Sequence, residues 1–172
     1  MKVVLMMATS LNGIIATPDN KEDFLSHENW EEFVKAVKQR GCFIWGRKTY
    51  ENVRTWDAAY LDHLKDATKV IVSSDPELIL AAGFIWANSP EEALDILDKK
   101  GFKEVVLTGG SKINSSFAKL GLIDEMLINL EGVIVGKGIP LFDPAEFELP
   151  LELIESNKIT ANIIQLRYKV KK

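Results

Sequence analysis

Cysteine, histidine and long apolar runs are scarce in this chain, and each scarcity removes a class of chemistry. Cys42 is the one cysteine among 172 residues, so no disulfide can form within the chain, and a reducing cytoplasm is the compartment this suggests. The two histidines, His27 and His63, have no metal-ligand spacing to each other or to Cys42, and no HExxH, GxSxG or CxxC pattern occurs. A bound metal is therefore not expected, and Cys42, lying in an apolar run, reads as a buried structural thiol. No apolar stretch approaches the roughly 20 residues that a membrane-spanning helix needs. The N-terminal KVVLMMA is apolar but short, and polar SLNG follows it, so it does not read as a signal peptide. Lys and Arg number 21 against 25 Asp and Glu, a balance that gives no reason to expect nucleic acid as a partner.

What is present is the composition of a globular domain, with 47% hydrophobic and 27% charged residues. No repeat or linker divides it, so residues 1–172 read as a single domain. Lys2–Ala8, Cys42–Trp45, Lys69–Val72 and Glu104–Thr108 are short continuous apolar runs, the mark of buried strands. Phe84–Ala87 is a further short strand, and Ile14–Ala16 resumes extended structure after the Ser10–Asn12–Gly13 turn. Between the strands lie helical segments. One runs from an N-cap at Ser26 to about Arg40, with Trp30, Phe33, Val34 and Val37 on one face. A short one follows from Thr49, which can cap it; another runs from Ser89–Pro90 to about Lys100, and a fourth spans Ser111–Leu120. Beyond Ile123 the chain is strand-rich: Met126–Val135, then Glu148–Glu155 and Asn162–Val170 as a hairpin. The expectation is an α/β fold with a mainly parallel central sheet flanked by helices and a C-terminal antiparallel hairpin.

In such a sheet, ligands gather beyond the carboxyl ends of the strands. Four junctions fall there: Ala8–Gly13, Gly46–Thr49, Ser73–Asp75 and Thr108–Lys112. Gly109 and Gly110 precede a helix start at Ser111, where bare backbone N–H groups can face a phosphate; a plain strand-to-helix turn would look the same. Gly46-Arg47-Lys48-Thr49 adds two cations to that logic, Arg47 able to grip phosphate bidentately and Lys48 acting as a point charge. Ser73 and Ser74 can complete a pocket for a 2′-phosphate, whereas Asp75 would suit an unphosphorylated ribose.

Together MATSLNGIIA, SHENWEEFVKAV, FIWGRKTYENV, VIVSS and VVLTGGSKINSSF resemble the dihydrofolate reductase family, within the superfamily shared with riboflavin-pathway reductase domains. The likeness covers nearly the whole chain, and GRKTYE is its most specific piece. It implies a dihydrofolate reductase-like fold and a cytoplasmic oxidoreductase that moves hydride from NADPH to dihydrofolate or a related pterin or pyrimidine, as monomer or homodimer. It further implies that Ala8 and Ile15 touch the nicotinamide. Gly46, Arg47, Lys48 and Thr49 would bind phosphates, with Ser73 and Ser74 near the adenosine. Gly109, Gly110, Ser111, Lys112 and Ile113 would pack along the pyrophosphate. Met6, Phe33, Tyr50 and Val53 would form the substrate cleft, and Leu11, Asn12 and Gly13 a mobile loop beside it.

Two departures bear on the substrate. The carboxylate that the family places at the start of the first long helix falls on Asn29 here, with Glu28 and Asp23 as the nearest acidic substitutes. The arginine that would hold a glutamate tail falls on Ala67, leaving Arg54, Lys65 or Lys69 to compensate. The segment GKGIPLF, Gly136–Phe142, is closer to the riboflavin-pathway relatives. Dihydrofolate reduction is the leading expectation, with a related pyrimidine or pterin reductase as the alternative and a non-catalytic nucleotide-binding module as the third reading.

Overall fold

A computed structural model describes residues 1–172. The elements in chain order are β1 (Lys2–Ser10), β2 (Ile14–Ala16), α1 (Glu28–Arg40), β3 (Cys42–Gly46), α2 (Arg47–Val53), α3 (Ala58–Asp62), β4 (Thr68–Val72), β5 (Phe84–Ala87), α4 (Pro90–Lys99), β6 (Glu104–Leu107), α5 (Ser111–Lys119), β7 (Glu125–Glu131), β8 (Ile139–Pro140), β9 (Leu151–Lys158) and β10 (Ile163–Val170). Eight strands form one sheet in the order β5-β4-β3-β6-β1-β7-β10-β9. Six of them, β5 to β7 in that order, are parallel, and β10 and β9 add antiparallel at one edge. The architecture expected from the sequence is the one found.

The alternation of the strands divides the core between the two faces. On one face Val3, Leu5, Ile44, Val70, Val105 and Leu107 pack under α4 and α5, through Ala93, Leu97, Ile113 and Phe117. On the other, Met6, Phe43, Trp45, Ile71 and Val106 pack under α1 and α2, through Phe33, Val37, Tyr50 and Val53. Phe43, Ile44, Val106 and Leu107 have no exposed surface, and each such side chain contributes roughly 1.5–3 kcal/mol by leaving water. Cys42 lies in the first cluster, and burial pushes its thiol up to about 12. The buried structural thiol is what the structure contains.

Several boundaries differ from the sequence expectation, each for a local reason. Ser26 does not cap α1; the cap position is His27, without a side-chain bond, because Ser26 is engaged by Glu131 instead. Thr49 does not cap α2, which starts two residues earlier at Arg47 behind Gly46. Ser89 caps α4 as expected, accepting from the Glu92 N–H. β7 ends at Glu131 rather than Val135. Beyond it, residues 133–135 bond to the Leu11–Gly13 loop: Leu11 N–H donates to Val133 O at 2.8 Å, and the Asn12 amide makes two bonds to the Val135 backbone. These bonds tie that loop to the segment that follows β7. The short α3 and β8 had no periodicity long enough to be seen.

Candidate active site

The carboxyl ends of β1, β3 and β6 lie side by side, and two turns meet there. Gly46 N–H donates to Gly109 O at 2.8 Å, and Thr108 N–H donates to Ile44 O at 3.1 Å. This contact explains both glycines. A Cβ on Gly46 would stand 3.2 Å from Ile113 Cγ2, and one on Gly109, whose φ is +80°, would meet the Met7 side chain at 3.0 Å. The Gly109–Gly110 peptide is cis. Ile113 thus acts from within, as the wall behind Gly46.

α5 opens from this turn with no side-chain cap, since its cap residue is Gly110. Ser111 is 6% exposed, and its hydroxyl has no hydrogen-bond partner. An uncapped helix start beside an orphaned buried hydroxyl is a polar surface awaiting an anion. Three exposed cations, Arg47, Lys48 and Lys112, stand on the first turns of α2 and α5. Arg47 is held at 3.3 Å from Asp75 and 3.8 Å from Glu51, and Ser73 Oγ accepts from the Asp75 N–H. Ser74 is exposed beside them. Arg47, Ser73 and Asp75 therefore form one group, with the acidic residue pairing the arginine.

On the α1 side of the turns lies a cleft of about 760 Å³. Met6, Ala8, Ile15, Thr49, Thr108 and Gly110 line its inner end. Phe33, Val53, Trp30, Trp56 and Tyr60 line its outer wall. Trp30 stands 5.9 Å from Trp56 and 5.1 Å from Tyr60, centroid to centroid, edge to face. Facing the aromatics is the 19–27 segment, which brings Asp19, Glu22, Asp23 and His27 into the cleft. Glu22 forms no ion pair or side-chain hydrogen bond, and desolvation raises its carboxyl to about 7. Asp19, by contrast, is held below its usual value by hydrogen bonds from Thr17 and Lys21.

Asn29 lines the cleft, but its amide is already spent. Nδ2 donates to Glu131 Oε2 at 2.9 Å and to Ser26 O at 3.1 Å, while Oδ1 accepts from Asn129 Nδ2 at 3.0 Å. Glu131 Oε1 takes the Ser26 hydroxyl at 2.8 Å, and Gln165 Nε2 donates to Asn129 Oδ1. A buried polar line thus runs from β10 through β7 to the loop ahead of α1. A buried carboxylate, Glu131, stands behind Asn29 and outside the cleft lining. The signal for it lay in Asn129 and Glu131, two polar residues on one face of an apolar strand.

Other sequence-proposed residues stand elsewhere. Glu28 is exposed at the start of α1 and outside the cleft, because one helical residue turns it about 100° from Asn29. Tyr50 is fully buried, its hydroxyl accepting from Ala81 N–H at 2.7 Å, so it is core and not cleft wall. Arg54 lies outside the cleft with its guanidinium 5.3 Å from the Tyr50 ring centre. Lys65 is also outside, and the Lys69 ammonium is bonded to the Lys65 and Ala67 carbonyls. None of the three supplies the missing cation. Asp23 does reach the cleft, whereas Glu22, Trp56, Tyr60 and Asp57 were not anticipated. Their positions depend on a loop and a one-turn helix with no apolar period.

Comparison with known proteins agrees with this geometry. The chain is 29% identical over 175 residues to the uncharacterized protein YwjB of Bacillus subtilis, covering 97% of each chain. Its fold matches a candidate riboflavin biosynthesis protein of Shewanella sp. PV-4 at TM-score 0.80 and 24% identity, over all of both chains. It also matches a diaminohydroxyphosphoribosylaminopyrimidine deaminase/5-amino-6-(5-phosphoribosylamino)uracil reductase of Thermotoga maritima at TM-score 0.76 and 16% identity, over 99% of this chain and 56% of that one. Residues 1–165 match the RibD C-terminal domain. The likeness noted in the sequence is thereby placed on the riboflavin-pathway side of the superfamily: this chain belongs to the RibD C-terminal domain family.

Proposed function

We propose that the protein is an NADPH-dependent reductase that delivers hydride to a pyrimidine- or pterin-like ring held in the cleft. The observation that carries this reading is the union of two surfaces at one sheet end. The uncapped start of α5, with the orphaned Ser111 hydroxyl, adjoins an aromatic-walled cleft through Gly110 and Thr49. The first surface fits a dinucleotide and the second a planar ring. The family match favours a pyrimidine-type ring over dihydrofolate, and the one lysine of the cleft, Lys21, is paired with Asp19 and not free for a glutamate tail.

Bound NADPH would supply the hydride. Ser111 and the N–H groups at the α5 start would hold its pyrophosphate, Arg47 and Ser73 its 2′-phosphate, and Ala8, Ile15 and Thr108 its nicotinamide end. The chain's remaining tasks are alignment, exclusion of water and supply of a proton. Met6, Phe33 and Val53 would fix the plane of the acceptor ring. The Glu22 carboxyl, raised to about 7 by desolvation, is suited to hold a proton near neutral pH and release it toward a ring nitrogen. Asn29 and Glu131 would act behind it by fixing the loop that carries Glu22.

Fluorescence titration with NADPH and NADH tests the assignment. Arg47→Ala is expected to weaken NADPH about tenfold or more, roughly 1.4 kcal/mol, and NADH much less. Equal losses would remove Arg47 from the 2′-phosphate. No binding of either dinucleotide, and no loss of reduced-nicotinamide absorbance with any pyrimidine or pterin, would refute the reductase reading.

A further inference from the structure

The charges around the site are sorted by side. The three cations at the helix starts, Arg47, Lys48 and Lys112, stand outside the cleft. Within it, Asp19, Glu22, Asp23 and Asp57 meet a single ammonium, Lys21, and Lys21 is itself paired with Asp19 at 3.1 Å. No arginine lines the cleft. The other ionisable neighbours are His27, whose imidazole stands 3.9 Å from Glu31, and Tyr60, which packs edge-on against Trp30.

A phosphate ester or a carboxylate tail in this cleft would face the carboxylates of Asp19, Asp23 and Asp57 with no unpaired lysine or arginine beside them. These three carboxylates are exposed, so the repulsion is one that salt screens. A planar ring without such a group meets the opposite conditions. Trp30, Trp56 and Tyr60 offer stacking and edge contacts, and the carboxylates accept ring N–H or amino groups. Any positive charge on the ring is welcome at the aromatic faces.

Resting on the reductase reading, we infer that the substrate is a nitrogen heterocycle, neutral or cationic, that carries neither phosphate nor carboxylate. It differs in this respect from the phosphoribosyl substrate in the name of the Thermotoga maritima enzyme. The two proteins share a fold, and the acid-lined wall sets this chain's choice.

Quenching of the cleft tryptophans, Trp30 and Trp56, reads binding directly. The probes are two matched pairs: 5-amino-6-(5-phosphoribosylamino)uracil against its phosphate-free counterpart, and dihydrofolate against a dihydropterin lacking the glutamate tail. Each is titrated into the full chain saturated with NADP⁺, and again without it. The uncharged member of each pair is expected to bind about tenfold tighter or better. The ratio should narrow as salt is raised from about 0.05 M to about 0.5 M, because screened charge and not shape sets it. A Glu22→Gln/Asp23→Asn/Asp57→Asn variant, checked for folding by circular dichroism, should narrow it as well. Equal or tighter binding of the phosphorylated or glutamylated member overturns the inference, as does a preference that salt and the triple variant leave unchanged, or a failure of all four probes to bind. Dinucleotide binding and oxidation are measured separately. Their failure would strike the reductase reading while leaving the charge preference, read by quenching, to stand or fall on its own.

Discussion

Removing the Glu131 carboxylate is the sharpest perturbation that the site allows. The side chain is 6% exposed and accepts three hydrogen bonds: Ser26 N–H at 3.1 Å, Ser26 O–H at 2.8 Å and Asn29 Nδ2 at 2.9 Å. In Glu131→Ala the Ser26 groups, half-buried, can regain water. The Asn29 amide, 8% exposed, is left with one donor unpaired in a cavity. Leaving that buried donor unpaired costs about 1–3 kcal/mol. In a domain of this size each kcal/mol lowers the melting temperature by about 2–4 °C, so a fall of about 2–12 °C is expected in thermal unfolding. Glu131→Gln should lie between, because its NH₂ must confront one of the three donors. Asn29→Ala combined with Glu131→Ala should cost less than the two single effects added, by about 1–3 kcal/mol, as neighbours in one network do. A Glu131→Ala protein within about 0.5 kcal/mol of the parent, which is the range of ordinary surface changes, would refute the account of this network.

Three further outcomes follow from the structure. Glu22 binds its proton more tightly in the folded chain than in the unfolded one, with a value of about 7 against 4.5. The folded state therefore loses stability as pH climbs between those values, by up to about 3 kcal/mol. Glu22→Gln should match the parent at pH 4 and exceed it in urea unfolding at pH 8; a constant difference across pH would contradict this. If Glu22 supplies the proton, turnover falls as pH passes about 7 in the parent, and the Gln variant loses that inflection. Gly46→Ala pushes a methyl against Ile113 at 3.2 Å and should lose about 1–3 kcal/mol of stability together with NADPH affinity, whereas unchanged binding would separate the turn from the cofactor. The Cys42 thiol, pushed up to about 12 by burial, should ignore a thiol reagent in the native protein and react fully in denaturant; fast native labelling would contradict its placement.

The sheet was legible because its strands announce themselves by continuous apolar runs. Phe84–Ala87 was found at its observed bounds, and Pro90 behind Ser89 fixed the start of α4. The hairpin was placed less well: β9 runs Leu151–Lys158 rather than Glu148–Glu155. Every residue of that edge strand is exposed, so no buried alternation marks its ends. The glycine and cation junctions were readable because they cluster within short segments at strand ends. The network behind the cleft was not. Glu131 lies about a hundred residues from Asn29 in sequence, and only the folded chain brings the two together. The family resemblance named Phe33 and Val53, which line the cleft, and also Tyr50, which the sheet absorbs into its core.

The outer wall of the cleft has a consequence for how this fold changes its diet. α3 is one turn long, none of its residues is buried, and a single Asp57 carboxylate accepting the Ala59 N–H caps it. Tyr60 therefore stands on a turn with no buried residue, while Trp56 and Leu61 beside it pack against the core. The opposite wall is anchored through Glu131 and Asn129 into the middle of the sheet. Selection can change Asp57, Ala58, Ala59 and Tyr60 and leave the sheet end of the cleft as it was. A cleft built this way can be relined from one surface turn, as long as Trp56 and Leu61 keep their packing against the core.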